Sequence, residues 1–88
     1  MFGKYVVFDW PGKGEIPVVF PASVFHHDIA ASINGRFPGV EPVRAGFVEL
    51  ATWIDLGQIR CYGESRTLKL HSDSNIDSLL IETMIKED

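Results

Sequence analysis

The densest group of chemically active side chains in the sequence is His26-His27-Asp28. Imidazoles and carboxylates can bind a metal ion or transfer a proton. Adjacent helix positions diverge by roughly 100°, so His26 and His27 do not readily share one ion. Ligands on a helix are usually three or four residues apart, and after His27 those positions are alanines. We therefore expect an exposed polar helix face here. A small metal-dependent enzyme built on His26, Asp28 and His71 is the third of three functional hypotheses.

The other potential nucleophiles lack the neighbours that catalysis requires. Cys61 is the single cysteine, which excludes an internal disulfide and a cysteine-rich zinc site, and its alternation with Ile59 predicts a buried thiol. Ser65 follows a Gly-Glu pair, but Thr67 stands where a serine-hydrolase elbow has its second glycine. The Gly12–Gly14 segment is too short to cradle phosphate and leads into a strand. The sequence thus predicts no catalytic residue, metal site or cofactor.

Four cations can share one outer sheet face, with Tyr62 between them: Arg44, Arg60, Arg66 and Lys69. Such a face would resemble a nucleic-acid platform, with bases stacked on aromatic rings and phosphates bound by cations. The alternative is that Glu49 and Glu64 pair with these cations across strands. Because the chain carries a formal net charge of −4, nucleic acid is an unexpected partner, and this function is the second hypothesis.

Aromatic residues and one proline mark the expected protein-contact surface. Trp10 and Trp53 each end a predicted strand beside a turn, where a large ring either caps the core or anchors a partner. Pro17 cannot donate a ladder hydrogen bond, so its strand is expected at a sheet edge or at a bulge. An open edge can pair with another chain. The residues predicted to bind a partner are Trp10, Pro17, Trp53 and Tyr62.

Length and composition limit the class of protein. The 88 residues, 45% apolar and 23% charged, are typical of one small globular domain spanning 1–88 and not of a disordered chain. No apolar run approaches the ~18 residues of a membrane span, and the start lacks a basic region followed by an apolar stretch. We expect a cytoplasmic protein without membrane contact. So small a domain buries only ~60–65% of its unfolded surface, and a homodimer would bury more.

The excess charge lies at one end of the chain. Residues 1–72 contain seven acids and seven bases, whereas residues 73–88 contain five acids and one base. This acidic segment is typical of a solvated helix face, and mimicry of a nucleic-acid backbone is the less favoured alternative.

Alternation and turn signals divide the chain into strands and helices. Residues rich in β-branched and aromatic types predict strands at 3–10, 15–20, 43–50, 58–62 and 67–70, with a turn or bulge at 63–65. The simplest packing is an α+β domain: a mostly antiparallel sheet of four to five strands with two helices on one face, in the order ββαββ(β)α. Glu87 and Asp88 lie at the unfavourable end of the last helix dipole, so that end is expected to fray.

The two helices are predicted from caps and apolar spacing. Ser23 is the expected N-cap of a helix that ends at Asn34-Gly35, with an apolar stripe of Phe25, Ile29, Ala30 and Ile33. The second helix is expected to begin with the capping box Ser74-Asn75-Ile76-Asp77. Its expected apolar stripe is Ile76, Leu79, Leu80, Thr83 and Met84, broadened by Ile81 and Ile85.

Three segments resemble those of a group of small phage and prophage open reading frames: Ile16–Pro21 (IPVVFP), Pro42–Val48 (PVRAGFV) and Cys61–Leu70 (CYGESRTLKL). In that group a PVVFP strand precedes a short helix, and an SAGFV strand precedes a CxGxSxxLxL segment. Arg44 stands here where serine is common in the group. The group has no assigned activity, so the resemblance implies a bacterial or phage cytoplasmic setting and no mechanism.

The leading hypothesis is a non-enzymatic protein-interaction or accessory module. No pair of potentially catalytic groups has a spacing that local structure would bring together. The expected partner is an unidentified protein or a second copy of the chain, held at the edge strand that carries Pro17 and at exposed aromatic residues.

Overall fold

The computed structural model describes residues 2–50 and 59–86. In this part of the chain the elements are β1 (Phe2–Trp10), β2 (Gly14–Pro21), α1 (His26–Arg36), β3 (Glu41–Leu50), β4 (Ile59–Tyr62), β5 (Glu64–Ser65), β6 (Leu70–His71) and α2 (Ser74–Lys86). No helix in these two segments is long and apolar enough to cross a lipid bilayer. Three predictions lie outside the described residues: Trp53 as a partner contact, Gln58 as the first residue of the strand at 58–62, and fraying of the last helix at Glu87 and Asp88.

The main sheet is antiparallel and has four strands in the order β2-β1-β3-β4. β1 and β2 pair from Gly3↔Pro21 to Trp10↔Gly14, around a tight turn in which the Lys13 N–H donates to the Trp10 carbonyl at 2.9 Å. β5 and β6 form a separate two-stranded sheet. The predicted α+β class and antiparallel sheet are confirmed, and the predicted edge position of the strand that carries Pro17 is confirmed as well.

Both faces of the central strand β1 are buried. Residues 5–8 are all 0% exposed, and their side chains alternate between the two faces. Val6 packs in one cluster with Ala30 of α1, whereas Tyr5 packs in the other cluster with Ile81 of α2. The two helices therefore cover opposite faces, named here the α1 face and the α2 face. The prediction that both helices lie on one face is wrong, because four consecutive buried residues need cover on both sides.

A β-bulge in β3 changes which side chains reach α2. Val7 pairs with Arg44 and Phe8 pairs with Pro42, so Val43 is an extra residue in the ladder. Val43 packs against the α2-face cluster, and Arg44 forms an ion pair with α2. Simple alternation would place these two neighbours on opposite faces, and the bulge brings both onto the α2 face.

α1 begins and ends later than its sequence signals indicate. Its N-cap residue is Phe25, which makes no side-chain capping hydrogen bond, so the prediction of Ser23 as N-cap is wrong. The predicted stop at Asn34-Gly35 is also wrong, because both residues are helical and the helix ends at Arg36. Asn34 instead donates from Nδ2 to the Val40 carbonyl at 3.1 Å, so its side chain secures the loop after the helix.

The chain after β4 differs from the predicted single strand at 67–70. This stretch is a turn as far as Lys69, whose φ of +57° lies in the left-handed region. Glu64 and Ser65, predicted as a turn or bulge, form β5 and pair with His71 and Leu70 of β6. A strand of two residues is too short to show an alternating pattern in the sequence. β5 and β6 are recognised only because they pair with each other in the structure.

α2 is capped one residue earlier than predicted. Asp73 is the N-cap, since its Oδ1 accepts a hydrogen bond from the Ile76 N–H at 3.1 Å. Asp77 Oδ2 accepts one in return from the Asp73 N–H at 2.9 Å. The two reciprocal hydrogen bonds of a capping box are thus present. The N-cap is Asp73 and not the predicted Ser74. The return bond is accepted by Asp77, the fourth residue of the helix.

Candidate functional site

The structure does not bring His26, Asp28 and His71 together. His26 is buried, and its Nε2–H donates to the Gly46 carbonyl at 2.8 Å. His27 and Asp28 are exposed and lie 3.2 Å apart, measured from Nε2 to Oδ1. His71 is exposed on β6. Among the described residues, no group of three or more metal-ligating side chains is placed to hold an ion.

The buried position of His26 corrects the expectation of an exposed polar helix face. Its ring meets those of Phe20 and Phe47 edge to face, with centroid separations of 5.6 and 5.8 Å. It shares the buried side of α1 with Ala30, one turn further on. Burial lowers the pKa of His26 below its ordinary value, so the ring is neutral at neutral pH and acts as a structural donor to Gly46.

The sulfur and hydroxyl candidates also serve the fold. Cys61 is buried, as predicted, and burial raises the pKa of its thiol, which leaves the thiolate nucleophile scarce. Ser65 is buried, and its Oγ accepts a hydrogen bond from the Leu68 N–H at 3.3 Å. The same Oγ lies 3.4 Å from Oγ1 of Thr67, so these contacts close the turn between β5 and β6.

A buried polar network joins α2 to the sheet. Asp77 is 0% exposed, and its carboxylate accepts hydrogen bonds from the Tyr5 hydroxyl at 2.5 Å and from Arg44 Nε at 2.6 Å. The Asp73 N–H is its third donor. Arg44 also donates to both carboxylate oxygens of Glu15, at 2.6 and 3.0 Å. The network therefore connects β1, β2 and β3 with the start of α2.

The electrostatics of this network favour a structural role. Hydrogen bonding between Glu15 and Arg44 lowers the pKa of the carboxyl and raises the pKa of the guanidinium, so both remain charged. Burial, together with the Asp77 carboxylate, raises the pKa of Tyr5, so its hydroxyl remains a donor. Among the described residues, no buried side-chain nitrogen or oxygen lacks a hydrogen-bond partner. The arrangement holds α2 on the sheet and presents no reactive group.

α2 has two apolar sides, and most of its predicted stripe lies on the exposed one. Ile81 is 0% exposed on the α2 face, whereas Ile76, Leu79 and Met84 are 47, 64 and 38% exposed. Sequence reasoning missed the role of Asp77, which it assigned to the helix cap. The available signal was the spacing of four residues between Asp77 and Ile81, which places the acid on the buried side.

The exposed side of α2 forms one wall of an apolar groove. The opposite wall is the edge strand β2, and the space between them has a volume of about 550 Å³. Its apolar lining consists of Ile16, Pro17, Ile76, Leu79, Leu80 and Met84. Pro17, predicted as a partner contact, is itself buried and contributes to this lining. We name this space the β2–α2 groove.

A second surface lies on the α1 face and begins with a row of aromatic rings. Phe47 of β3 lies between Phe2 of β1 and Tyr62 of β4, with ring centroids 5.8 and 5.9 Å away. The guanidinium of Arg60 lies over the Tyr62 ring, 5.1 Å from its centroid. A Cβ at Gly63 would come within 2.8 Å of the Phe47 ring, so only glycine lets this ring pack here.

A pocket of about 450 Å³ adjoins this row. Its lining combines the rings of Phe25, His26 and Phe47 with the polar side chains of Lys4, Glu64, Ser65, Arg66 and Thr67. Lys4 Nζ lies 5.3 Å from the Phe25 ring centroid and donates to the Val24 carbonyl at 3.0 Å. We name the pocket and the row Phe2, Phe47 and Tyr62 together the aromatic–cation surface.

The four cations predicted to form one basic face are divided between surfaces. Arg44 lies on the α2 face and is bound in the buried network. Arg60 lies on the α1 face and pairs with Glu49 at 3.3 Å, as the alternative interpretation expected. Arg66 and Lys69 are exposed in the turn between β5 and β6. A shared outer face for all four is therefore absent.

Two of the aromatic residues predicted as partner contacts are half-buried. Trp10 packs against the α1-face core and against the ring of Phe37, with centroids 4.9 Å apart, so it caps the core. Tyr62 belongs to the aromatic–cation surface, between Phe47 and Arg60.

Comparison with protein-family models, with curated proteins and with solved structures gives no match for this chain. Its function is therefore inferred from the β2–α2 groove and the aromatic–cation surface.

Proposed function

We propose that this chain is a non-enzymatic protein-interaction module and that its docking site is the β2–α2 groove. The observation that carries the proposal is the exposure of three large apolar side chains along one side of α2, namely Ile76, Leu79 and Met84. Apolar side chains grouped beside a groove mark interaction sites, and covering them is favourable by roughly 25 cal/mol per Å² of apolar surface.

The edge strand beside the groove disfavours docking by strand addition. Pro17 pairs with Val7 in the ladder, and a strand accommodates proline where its nitrogen faces away from the neighbouring strand. Pro21 lies four residues after Pro17 in β2, so its nitrogen faces the same side of the strand. Both prolines therefore remove N–H donors from the open edge. An amphipathic helix satisfies its own backbone and docks through side chains, and it is therefore the better occupant.

Charge selects a basic occupant. The groove lining itself contains one base and one acid, Lys13 and Glu15, and Glu15 is bound by Arg44. Outside the lining, residues 73–88 contain five acids and one base. Asp77 is bound in the buried network, and the remaining four acids and one base leave the segment that includes α2 with net negative charge. A second copy of the chain would bring another acidic α2 against the first. Lysine or arginine beside an apolar stripe would instead complement the acids. The proposed partner is therefore a basic amphipathic helix of another protein, in preference to a homodimer.

The cellular setting of the proposal comes from the sequence resemblance. Three segments similar to small phage and prophage open reading frames support an accessory protein encoded by a phage or prophage and acting in the bacterial cytoplasm. The basic helix would then belong to a phage or host protein.

Titration with designed peptides tests the groove. An amphipathic leucine–lysine peptide and a leucine–glutamate peptide of the same pattern are added to isotopically labelled protein and followed by NMR. We expect the lysine peptide to shift amide resonances of α2 and β2 and the glutamate peptide to shift none. Leu79→Ser should weaken binding about tenfold, since one anchoring side chain is lost. Phe37→Ser, which alters another exposed apolar residue outside the groove, should leave binding unchanged.

Equal binding of the two peptides, or equal loss in both variants, would contradict the proposal. Sedimentation velocity of the free chain separates the homodimer from the basic partner. A dimer that Leu79→Ser dissociates would assign the groove to a second copy and would overturn the proposed partner.

A further inference from the structure

We infer that the aromatic–cation surface binds single-stranded nucleic acid, an activity separate from the β2–α2 groove. Phe2 and Phe25 are 51 and 59% exposed. Phe2 stacks on Phe47 and Phe25 stacks on His27, and each ring presents the rest of its apolar area to solvent at this surface. Every nucleobase has a π-face, and stacking on aromatic side chains binds single strands with little dependence on sequence.

The pocket at this surface has the size and the lining for one nucleotide. Its volume of about 450 Å³ lies within the usual range for small-molecule sites, which are mostly apolar with a few polar groups. Phe25 and Phe47 supply aromatic walls, and Lys4 and Arg66 supply positive charge. Contacts with its neighbouring rings hold Phe47 in place, so this wall is formed before a ligand arrives.

Cations and rings alternate across the surface. Lys4 lies over Phe25, with Nζ 5.3 Å from the ring centroid, and Arg60 lies over Tyr62 at 5.1 Å. A single strand with stacked bases needs this combination, because its phosphates run beside the stacked bases. α1 begins at the pocket, and its N-cap residue Phe25 makes no side-chain capping bond. The Asp28 carboxylate in the first turn of α1 offsets the positive field of the helix start.

Three acids lie at or beside the surface, and each has a partner. Asp28, in the first turn of α1, lies 3.2 Å from His27 Nε2. Glu64 of the pocket lies 3.3 Å from His71 Nδ1, and Glu49 lies 3.3 Å from an Arg60 nitrogen. The net negative charge of the chain arises from residues 73–88, most of which form α2 on the opposite face of the sheet. In the composition, the net negative charge argues against a nucleic-acid partner. In the structure, most of the segment that causes it lies on the opposite face of the sheet from this surface.

Fluorescence anisotropy with labelled oligonucleotides tests the inference. The probes are oligothymidylate and oligouridylate of about twelve nucleotides, and a DNA duplex of the same length is the comparison. We expect single strands to bind at low salt and the duplex to bind more weakly, because paired bases cannot stack on the rings. Binding of one single strand in preference to the other supports the inference and identifies DNA or RNA as the ligand.

Two variants separate stacking from charge. Phe25→Ala should weaken single-strand binding about tenfold with an unchanged salt dependence. Arg66→Ala should reduce the slope of log K against log salt concentration by roughly 0.7, the loss of one phosphate contact. Phe37→Ala and Arg36→Ala, an exposed ring and an exposed cation at the other end of α1, should bind like the unaltered protein. Leu79→Ser should do so too, which distinguishes failure of this inference from failure of the groove.

Phe25 and Arg66 are both exposed, so the folded state should tolerate their substitution, and circular dichroism of each variant verifies this. The inference is overturned by any of three results. These are no single-strand binding at low salt, duplex binding as tight as single-strand binding, or equal losses in the variants and their controls.

Discussion

Asp77 is an acid at a position that helical spacing assigns to the core. It lies four residues before Ile81, and both residues are fully buried on the α2 face. An unpaired carboxylate in this position would be destabilising by several kcal/mol, but Tyr5 and Arg44 donate to it directly. These bonds set the rotation of α2 on the sheet, and that rotation exposes the apolar side chains of the groove.

Asp77→Asn should lower the free energy of unfolding by about 3 kcal/mol. The amide keeps the volume of the carboxylate but removes the charge that Arg44 faces, and its NH₂ group must lie near another donor. Urea-induced unfolding measures the change. Asp28→Asn, which alters an exposed carboxylate, should change the stability by less than about 0.5 kcal/mol. Similar effects in the two variants would mean that the buried network contributes little to stability.

The start of α2 shows how neighbouring elements choose between two equally good caps. Asp and Ser are both strong N-cap residues, and they adjoin at positions 73 and 74. The Asp73 N–H donates to Asp77, which is itself bound by β1 and β3. Packing of the helix against the sheet therefore selects Asp73, and local sequence preference does not decide between the two.

The two candidate caps can be distinguished by alanine substitution. Asp73→Ala should lower the free energy of unfolding by about 1 kcal/mol, because the Ile76 N–H loses its acceptor. Ser74→Ala should change it by less than about 0.5 kcal/mol, as expected of an exposed first helical residue. Parallel urea titrations compare the variants. A larger loss in Ser74→Ala would favour the assignment made from the sequence.

The molecule as a whole places different chemistry on the two sides of one sheet. α2 covers one side and carries most of the acidic segment, while the other side carries the aromatic–cation surface beside α1. The central strand is buried on both sides, so a small chain obtains two packed clusters from one sheet. The proposed basic helix and the proposed nucleic acid would therefore contact different residues.

Stability of the whole domain should fall as the pH decreases below about 6.5, the ordinary pKa of histidine. Burial lowers the pKa of His26 in the folded state, so the unfolded chain binds a proton first as the pH falls. The free energy of unfolding therefore decreases from this pH downward until the folded-state pKa is passed. The pair of Glu15 with Arg44 is lost only at lower pH, because that pairing holds the pKa of Glu15 below 4.5.

Unfolding of the protein at pH 7.5 and pH 5.5 tests the role of His26. His26→Gln keeps an N–H donor for the Gly46 carbonyl and should remove most of the difference between the two conditions. His27→Gln and His71→Gln alter exposed imidazoles and should retain it. Retention of the full difference in His26→Gln would show that another group titrates.

Local patterns in the sequence determined the four strands of the main sheet, their antiparallel arrangement, the edge position of Pro17 and the burial of Cys61. Alternation, turn residues and the missing N–H of proline act within a few neighbouring residues, so they can be read without knowledge of the rest of the chain. These features account for the α+β class and for one strand of the proposed groove.

Only the tertiary structure decided the faces that the helices cover, the burial of His26 and the exposure of the predicted α2 stripe. Each depends on residues distant in sequence: Gly46 of β3 accepts from His26 of α1, and Arg44 of β3 binds Asp77 of α2. The aromatic row likewise joins three strands that pair through the sheet. Spacing along the chain describes which side chains share a face, but long-range contacts select the face that is buried.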